Sequence, residues 1–283
     1  MIQFLKYTKI TLLASGLLMI VGLVSIFTYG FSYSIDFVGG ATVDLAVGTK
    51  DEQKIKSYVN KNYPAATIQK SGNNMLIKEK NITKEDAQKM ADQIKGARLN
   101  SYETISPSVS AENITKTITA FVVAALCILL YVAFTFSGFL YALAAVVAMF
   151  HDTVLLMGAW SLMGKFFGAQ FDILFVTALL TIMSFSVHDT IIIFDKLKEE
   201  ENAGRYSSLE EKINAALTLT IVRSTNTSIT TILVLASLVI LGGSATHRFS
   251  ISLLIGMFLG TYSSPFVAAP MYYFLTRFFK KKT

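Results

Sequence analysis

Six predominantly apolar stretches, at roughly residues 10–30, 116–136, 139–162, 172–194, 217–243 and 250–275, each run on for about twenty residues or more with at most two charged residues inside. A helix of about twenty residues, rising 1.5 Å per residue, crosses the roughly 30 Å hydrocarbon layer of a bilayer and pairs its own backbone groups on the way. With 53% hydrophobic and 16% charged residues arranged in such blocks, the chain reads as a polytopic α-helical membrane protein with six transmembrane helices. The first stretch follows Lys6 and Lys9 but exceeds a signal-peptide core and lacks a small-residue cleavage site before YGFSYSIDF, so it reads as a retained span.

Lys and Arg set the expected orientation. They gather at Lys6 and Lys9, at Lys196, Lys198, Arg205 and Lys212, and in the closing RFFKKKT, which places these segments and both termini in the cytoplasm. Residues 31–112 and the turns near 163–171 and 244–249 then lie outside, with His247 and Arg248 a mild exception. The expected division is 1–30 for the N-terminus and first span, 31–112 for an extracytoplasmic domain, and 113–283 for five further spans with a cytoplasmic loop at 195–216, where KLKEEENAGRYSSLEEKI reads as a charged helical hairpin turning near Gly204. The net charge of +6 is spread over these flanks and forms no nucleic-acid surface. Cys127, the one cysteine, falls within span two, where it is expected to be buried and has no intrachain disulfide partner.

Between the first two spans the periodicity alternates between two and 3.6. ATVDLAV reads as a strand; Thr49 with Glu52 makes a capping box for a helix that buries Ile55, Tyr58 and Val59 and ends at Pro64. ATIQK and NMLIKE flank a hairpin turn at Ser71-Gly72-Asn73, Thr83 caps a second helix closed by Gly96, and LNSYETI is a last strand. The order βαββαβ suggests a small α+β ferredoxin-like domain. Asp36 with Gly39-Gly40, in SIDFVGG, and the segment SPSVSAENITK around Pro107 are its expected tethers, the glycines allowing a tight bend or a close backbone approach.

The tripeptide His-Asp-Thr occurs twice inside apolar runs, at His151-Asp152-Thr153 and His188-Asp189-Thr190. A carboxylate at the centre of a span costs roughly 2.5–3.5 kcal/mol on insertion scales, so each requires a partner, a water-filled cavity or a proton.

SIDFVGG, FHDTVLLMG, SFSVHDTIIIFDKLKEE and RSTNTSITTILVLASLVILGG, in this order and running nearly end to end, resemble the SecF-type members of the SecD/SecF family of protein-export membrane proteins, within the resistance-nodulation-division superfamily. Ser34, Val38 and His188 stand where that family commonly has Gly, Thr and Asn. The resemblance implies an accessory of the Sec translocon in the bacterial cytoplasmic membrane, without cofactor, metal or covalent catalysis. Its partners would be SecD, the translocon channel, the translocating polypeptide and membrane lipid. It also implies that Asp189 and Arg223 move protons to help draw secreted polypeptides outward.

Geometry bears on the same residues. Asp189 lies about 8–9 Å from the inner end of span four and Arg223 opens span five from that side, so the two are expected at one depth and paired. The competing reading makes Arg223 a headgroup anchor. Asn226, Thr227, Thr230 and Thr231 form a hydroxyl-rich stripe that holds water or bonds to another helix. Asp152, about 20 Å from the inner surface, is expected higher than Asp189, extending a proton path or bonding locally. Neither histidine is expected to point where its aspartate points, because helix neighbours diverge by about 100°. Gly256 and Gly260 are expected to pack against SecD or another span, and Pro265 and Pro270 to kink span six.

Three rivals remain. An aspartyl protease would carry G-x-G-D, which FSVHD is not, and a metal held by both His-Asp pairs would need them at one depth. A stand-alone proton-coupled exporter of small lipophilic molecules on the same scaffold generally needs two six-span halves.

Overall fold

The computed structural model describes residues 1–280 except 48–50, 72–73, 94–96 and 137. Among the described residues, six helical segments are long and apolar enough to cross a membrane. They comprise α1 (Thr8–Tyr29, preceded by a 3-10 turn at Phe4–Tyr7), α5 (Pro107–Phe136), α6 (Phe139–Phe167), α7 (Ile173–Ala203), α8 (Leu209–Leu241) and a broken sixth span. That span is α9 (Ser244–Ser263), a π-helical turn at Ser264–Ala268 containing Pro265, and α10 (Ala269–Lys280). The expected irregularity at Pro265 thus takes the form of a wide turn.

Packing sorts the helices into two classes. In the most apolar window of α6, 61% of residues are buried, against 6% in α5, so α6, α7 and the sixth span form the centre and α1, α5 and α8 the rim. Cys127, expected buried, is exposed on α5, because that rim helix shows most of its surface to the surroundings. The buried residues of α1 are small, Thr8, Ser15, Gly22 and Ser25, and Gly22 and Ser25 meet α6. A Cβ on Gly158 would stand 2.4 Å from the Gly22 Cα, so the two backbones are in contact there. Gly256 and Gly260 give α7 the same access, facing Ile182 and Ser186, so the GxxxG packs within the chain.

α5 is continuous from Pro107, so the segment read as a second tether is helical and the expected division at 112/113 falls inside a helix. Residues 195–216 extend α7 and α8 into the expected helical hairpin, turning at 204–208; Gly204 sits at φ +64 and Ser208 with Glu211 forms a capping box. Arg205 closes that turn onto the Glu200 carboxylate at 2.5 Å.

The α/β domain runs β1 (Gly40–Val47), α3 (Glu52–Asn62), β2 (Thr67–Ser71), β3 (Asn74–Glu79), α4 (Lys84–Gln93) and β4 (Ala97–Ile105), which is the expected order of elements. Strand order is β2-β3-β1-β4, every neighbouring pair antiparallel. Alternate β1 residues, including Val43 and Leu45, are buried with Ile55, Val59, Met75, Ile77 and Met90, while Tyr58 packs partly buried at the edge. Thr83 caps α4 reciprocally with Asp86: each backbone N–H meets the other's side chain at 3.2 Å. Thr49, Gly72, Asn73 and Gly96, to which the capping box, the hairpin turn and the helix stop were assigned, lie outside the described residues; Asp51 is the N-cap of α3.

Candidate functional site

Asp152, at the middle of α6, is 1% exposed and fully engaged. Its Oδ2 accepts the hydroxyls of Ser186 on α7 (2.6 Å) and Ser263 at the end of α9 (2.5 Å), and its Oδ1 lies 2.9 Å from His151 Nδ1. Three helices thus meet on one carboxylate. The His151 contact corrects the expectation of divergence: the ring folds back along the helix, leaving Nε2 buried with no partner among the described residues. One turn further along α7, Thr190 Oγ1 lies 2.9 Å from Ser264 Oγ, and both hydroxyls donate to the Ser186 carbonyl, at 3.0 and 3.2 Å. These hydroxyls lie where the sixth span turns π-helical, a feature common at functional positions.

Asp189 is also buried, but among the described residues its one hydrogen bond comes from Ser224 Oγ on α8, at 2.9 Å. A carboxylate offers about four acceptor positions, so most of its capacity is unused. Because Asp152 bonds to Ser186, three residues before Asp189, the two acids differ in depth by about 4.5 Å rather than the larger offset expected from the span ends. No hydrogen bond joins them among those described.

The expected ion pair between Asp189 and Arg223 is not formed. Adjacent helix residues point about 100° apart, so with Ser224 turned inward to α7, Arg223 is thrown to the exposed face of α8. Asn226, Thr227 and Thr230 share that exposure, and His188 is exposed on α7. The hydroxyls of Thr227, Thr230 and Thr231 return to carbonyls of their own helix, so this stripe makes no bond to another helix through them. Ser224 does so with Asp189, and Ser228 with Thr261 at 2.8 Å. These serines, with Ser186, Ser263 and Ser264, were not singled out in the sequence; SFS beside His-Asp and the pair before Pro265 are the only signs of them.

At the other end of α7, Asp172 is the N-cap and accepts the Phe175 N–H at 2.7 Å. Burial pushes its carboxyl above the ordinary aspartate range; the Phe175 bond, Lys78 and Arg248 oppose this and Asp36 adds to it. Asp36 belongs to a short helix, α2 (Ile35–Val38), and its Oδ2 accepts both Ser34 Oγ (2.8 Å) and the Ile173 N–H (3.3 Å). Gly39 and Gly40 follow at φ +76 and +141. A Cβ on Gly40 would stand 2.8 Å from the Glu79 carbonyl, so both anticipated reasons for glycine, the bend and the close approach, hold at this joint.

The sequence matches the family described as protein export membrane protein SecD/SecF, C-terminal, over residues 84–277, and the SecD/SecF GG motif over residues 24–50. It is 34% identical to the protein translocase subunit SecF of Thermobaculum terrenum, the alignment covering 95% of this chain and 92% of the relative. The corresponding subunit of Pseudomonas aeruginosa is 31% identical, with 94% and 89% covered. The crystal structure of SecDF, a translocon-associated membrane protein from Thermus thermophilus, superposes with a TM-score of 0.85 at 28% identity. It covers 98% of this chain, which spans 39% of the SecDF chain.

Proposed function

The chain belongs to the SecD/SecF family of protein-export membrane proteins, and from that premise we propose that it serves as an accessory subunit of the bacterial Sec translocase that uses the proton-motive force to promote polypeptide export. It works beside SecD and the translocon channel in the cytoplasmic membrane, with both termini in the cytoplasm. The α/β domain is then an extracytoplasmic ferredoxin-like unit, a reading supported by its βαββαβ order and its four antiparallel strands.

The observation that carries the proton reading is Asp189: a buried acid held, among the described residues, by the Ser224 hydroxyl of α8, whose neighbour in sequence is the exposed Arg223. Such a carboxyl without a cation is far cheaper to bury as the neutral acid. Turning α8 by about one residue step, 100°, exchanges Ser224 for Arg223 at Asp189 and lets the acid give up its proton. Proton occupancy and the rotation of α8 thus change together. One charge crossing 100 mV releases about 2.3 kcal/mol, so a few protons suffice to drive a domain movement.

The exposed polar residues His188, Arg223, Asn226, Thr227 and Thr230 are costly against lipid, which supports a reading in which SecD covers them. Copurification separates the export role from the small-molecule exporter: SecD or translocon subunits retained with the chain support the first. Drug sensitivity on deletion with normal secretion supports the second. The direct test is Asp189→Asn in a secretion assay with and without a proton gradient. Loss of the gradient-dependent component is expected, and equal stimulation in variant and parent removes Asp189 from the mechanism.

A further inference from the structure

We propose that Asp36 is a positioning residue that couples the α/β domain to the helix carrying Asp189. The inference rests on the proton-driven reading above and extends it from the acid to the part that moves.

Three observations meet at Asp36. First, its carboxylate holds the start of α7: Oδ2 accepts the Ile173 N–H at 3.3 Å and is itself steadied by Ser34 Oγ at 2.8 Å. The first turn of α7 thus has two acids on its free N–H groups, Asp172 from its own N-cap and Asp36 from a segment more than a hundred residues earlier. Secondly, α2 is anchored on both sides. Phe171, just before α7, exchanges backbone hydrogen bonds with Ser32 (2.8 Å) and Ser34 (3.0 Å), and its ring lies 5.0–5.6 Å from those of Phe31, Tyr33, Phe37 and Phe175. Across α2, Ser110 and Asn113 of α5 donate to the Ile35 and Asp36 carbonyls at 3.3 and 2.9 Å. Thirdly, nothing slack separates α2 from the domain. Gly39 packs against the Ile105 carbonyl and Pro107, Gly40 against Glu79 and Lys80, and Gly40 is already the first residue of β1.

Mechanically, α7 is one unbroken helix from Ile173 to Ala203, and Asp189 stands about 24 Å along it from the Asp36 contact. A shift of α7 on proton uptake therefore arrives at Ile173 as a displacement of α2, and α2 passes it to the central strand β1 of the sheet. Asp36 takes no proton itself in this scheme; it supplies the bond through which the helix pulls.

The test uses the full chain with SecD in sealed vesicles, spin-labelled at positions 61 on α3 and 165 on α6, both exposed. Pulsed electron resonance reads the distance between labels with and without a proton gradient. The parent is expected to change distance under the gradient, Asp36→Ala to lose at least three quarters of that change, and Asp36→Asn, which keeps an acceptor oxygen for Ile173, to recover at least half of it. A full change in Asp36→Ala, or none in the parent, overturns the coupling. Should Asp36→Ala fail to accumulate, Ser34→Ala decides instead: a reduced change supports the role and an undiminished one overturns it. Asp189→Asn in the same vesicles reports separately on the proton reading. A persisting change there sinks Asp189 while leaving Asp36 to be judged by its own variants.

Discussion

Asp152 and Asp189 occupy neighbouring levels of one bundle, follow a histidine in the same tripeptide, and are both buried, yet their surroundings differ. Around Asp152, three donors from α6, α7 and the sixth span close on the carboxylate, on helices at the packed centre. Asp189 has one donor, and it comes from α8, a rim helix. Several hydrogen bonds from different helices fix an arrangement, because any movement strands several donors at once. An acid with spare acceptor capacity beside a lightly packed helix can change partners at small cost. The same residue type therefore serves here as a fastener and there as the exchangeable element.

The largest test of this contrast is Asp152→Ala, expected to lower stability by about 3–5 kcal/mol because Ser186, Ser263 and His151 are stranded together. Asp189→Asn, which keeps an acceptor for Ser224, should stay within about 1 kcal/mol of the parent while losing gradient-dependent export. Thermal unfolding in detergent reads both, and equal losses would erase the distinction. Next comes Gly158→Ala. Its methyl would meet the Gly22 backbone, forcing α1 off α6 at a cost of about 1–3 kcal/mol, whereas Thr230→Ala on exposed α8 should change stability by less than about 0.5 kcal/mol. A comparable loss at both would show that α8 is as firmly seated as α1.

The smallest effect is a pH dependence at the N-terminal end of α7. Asp172 is raised above its ordinary 3.8 chiefly by burial, so folding favours its protonated form. Its stabilising contribution is complete below the unfolded value and is lost as pH rises through the folded one. Asp86 is lowered, first by the Thr83 hydroxyl and amide, so its contribution is present above the unfolded value and is lost as pH falls through the folded one. Amide exchange, corrected for intrinsic rates, should thus show Ile173 and Phe175 gaining protection on mild acidification, before the α4 cap at Thr83 loses it. Simultaneous loss at both ends would contradict the assignment.

Much of this was legible because length and period are properties of the chain alone. Spans of about twenty apolar residues have one solution in a bilayer, and alternation in ATVDLAV has one face to bury. Asp189 was found by the cost of placing it, and Gly39-Gly40 by the conformations only glycine adopts freely. What failed was azimuth. Depth along a helix follows from counting residues, but whether Arg223 or Ser224 faces α7 depends on how α8 is rotated, which is set by packing. The serines around Asp152 failed for a different reason: a hydroxyl satisfied by its own helix and one that crosses to another have the same sequence signature. One helix start misled as well: α5 begins at Pro107, so the segment read as a second tether is helical, whereas the hairpin turning at Gly204 was legible from its charge and its glycine.

The wide turn at Ser264–Ala268 leaves the two halves of the sixth span out of phase, like a gear with a tooth added partway along its shaft. Ser263 and Ser264, side by side in sequence, mesh with different neighbours, one with Asp152 and the other with Thr190. That divergence is what any helix gives to adjacent residues; the added residue acts beyond them, on the phase of α10, whose Tyr272 ring stacks on Tyr141 of α6 at 4.2 Å.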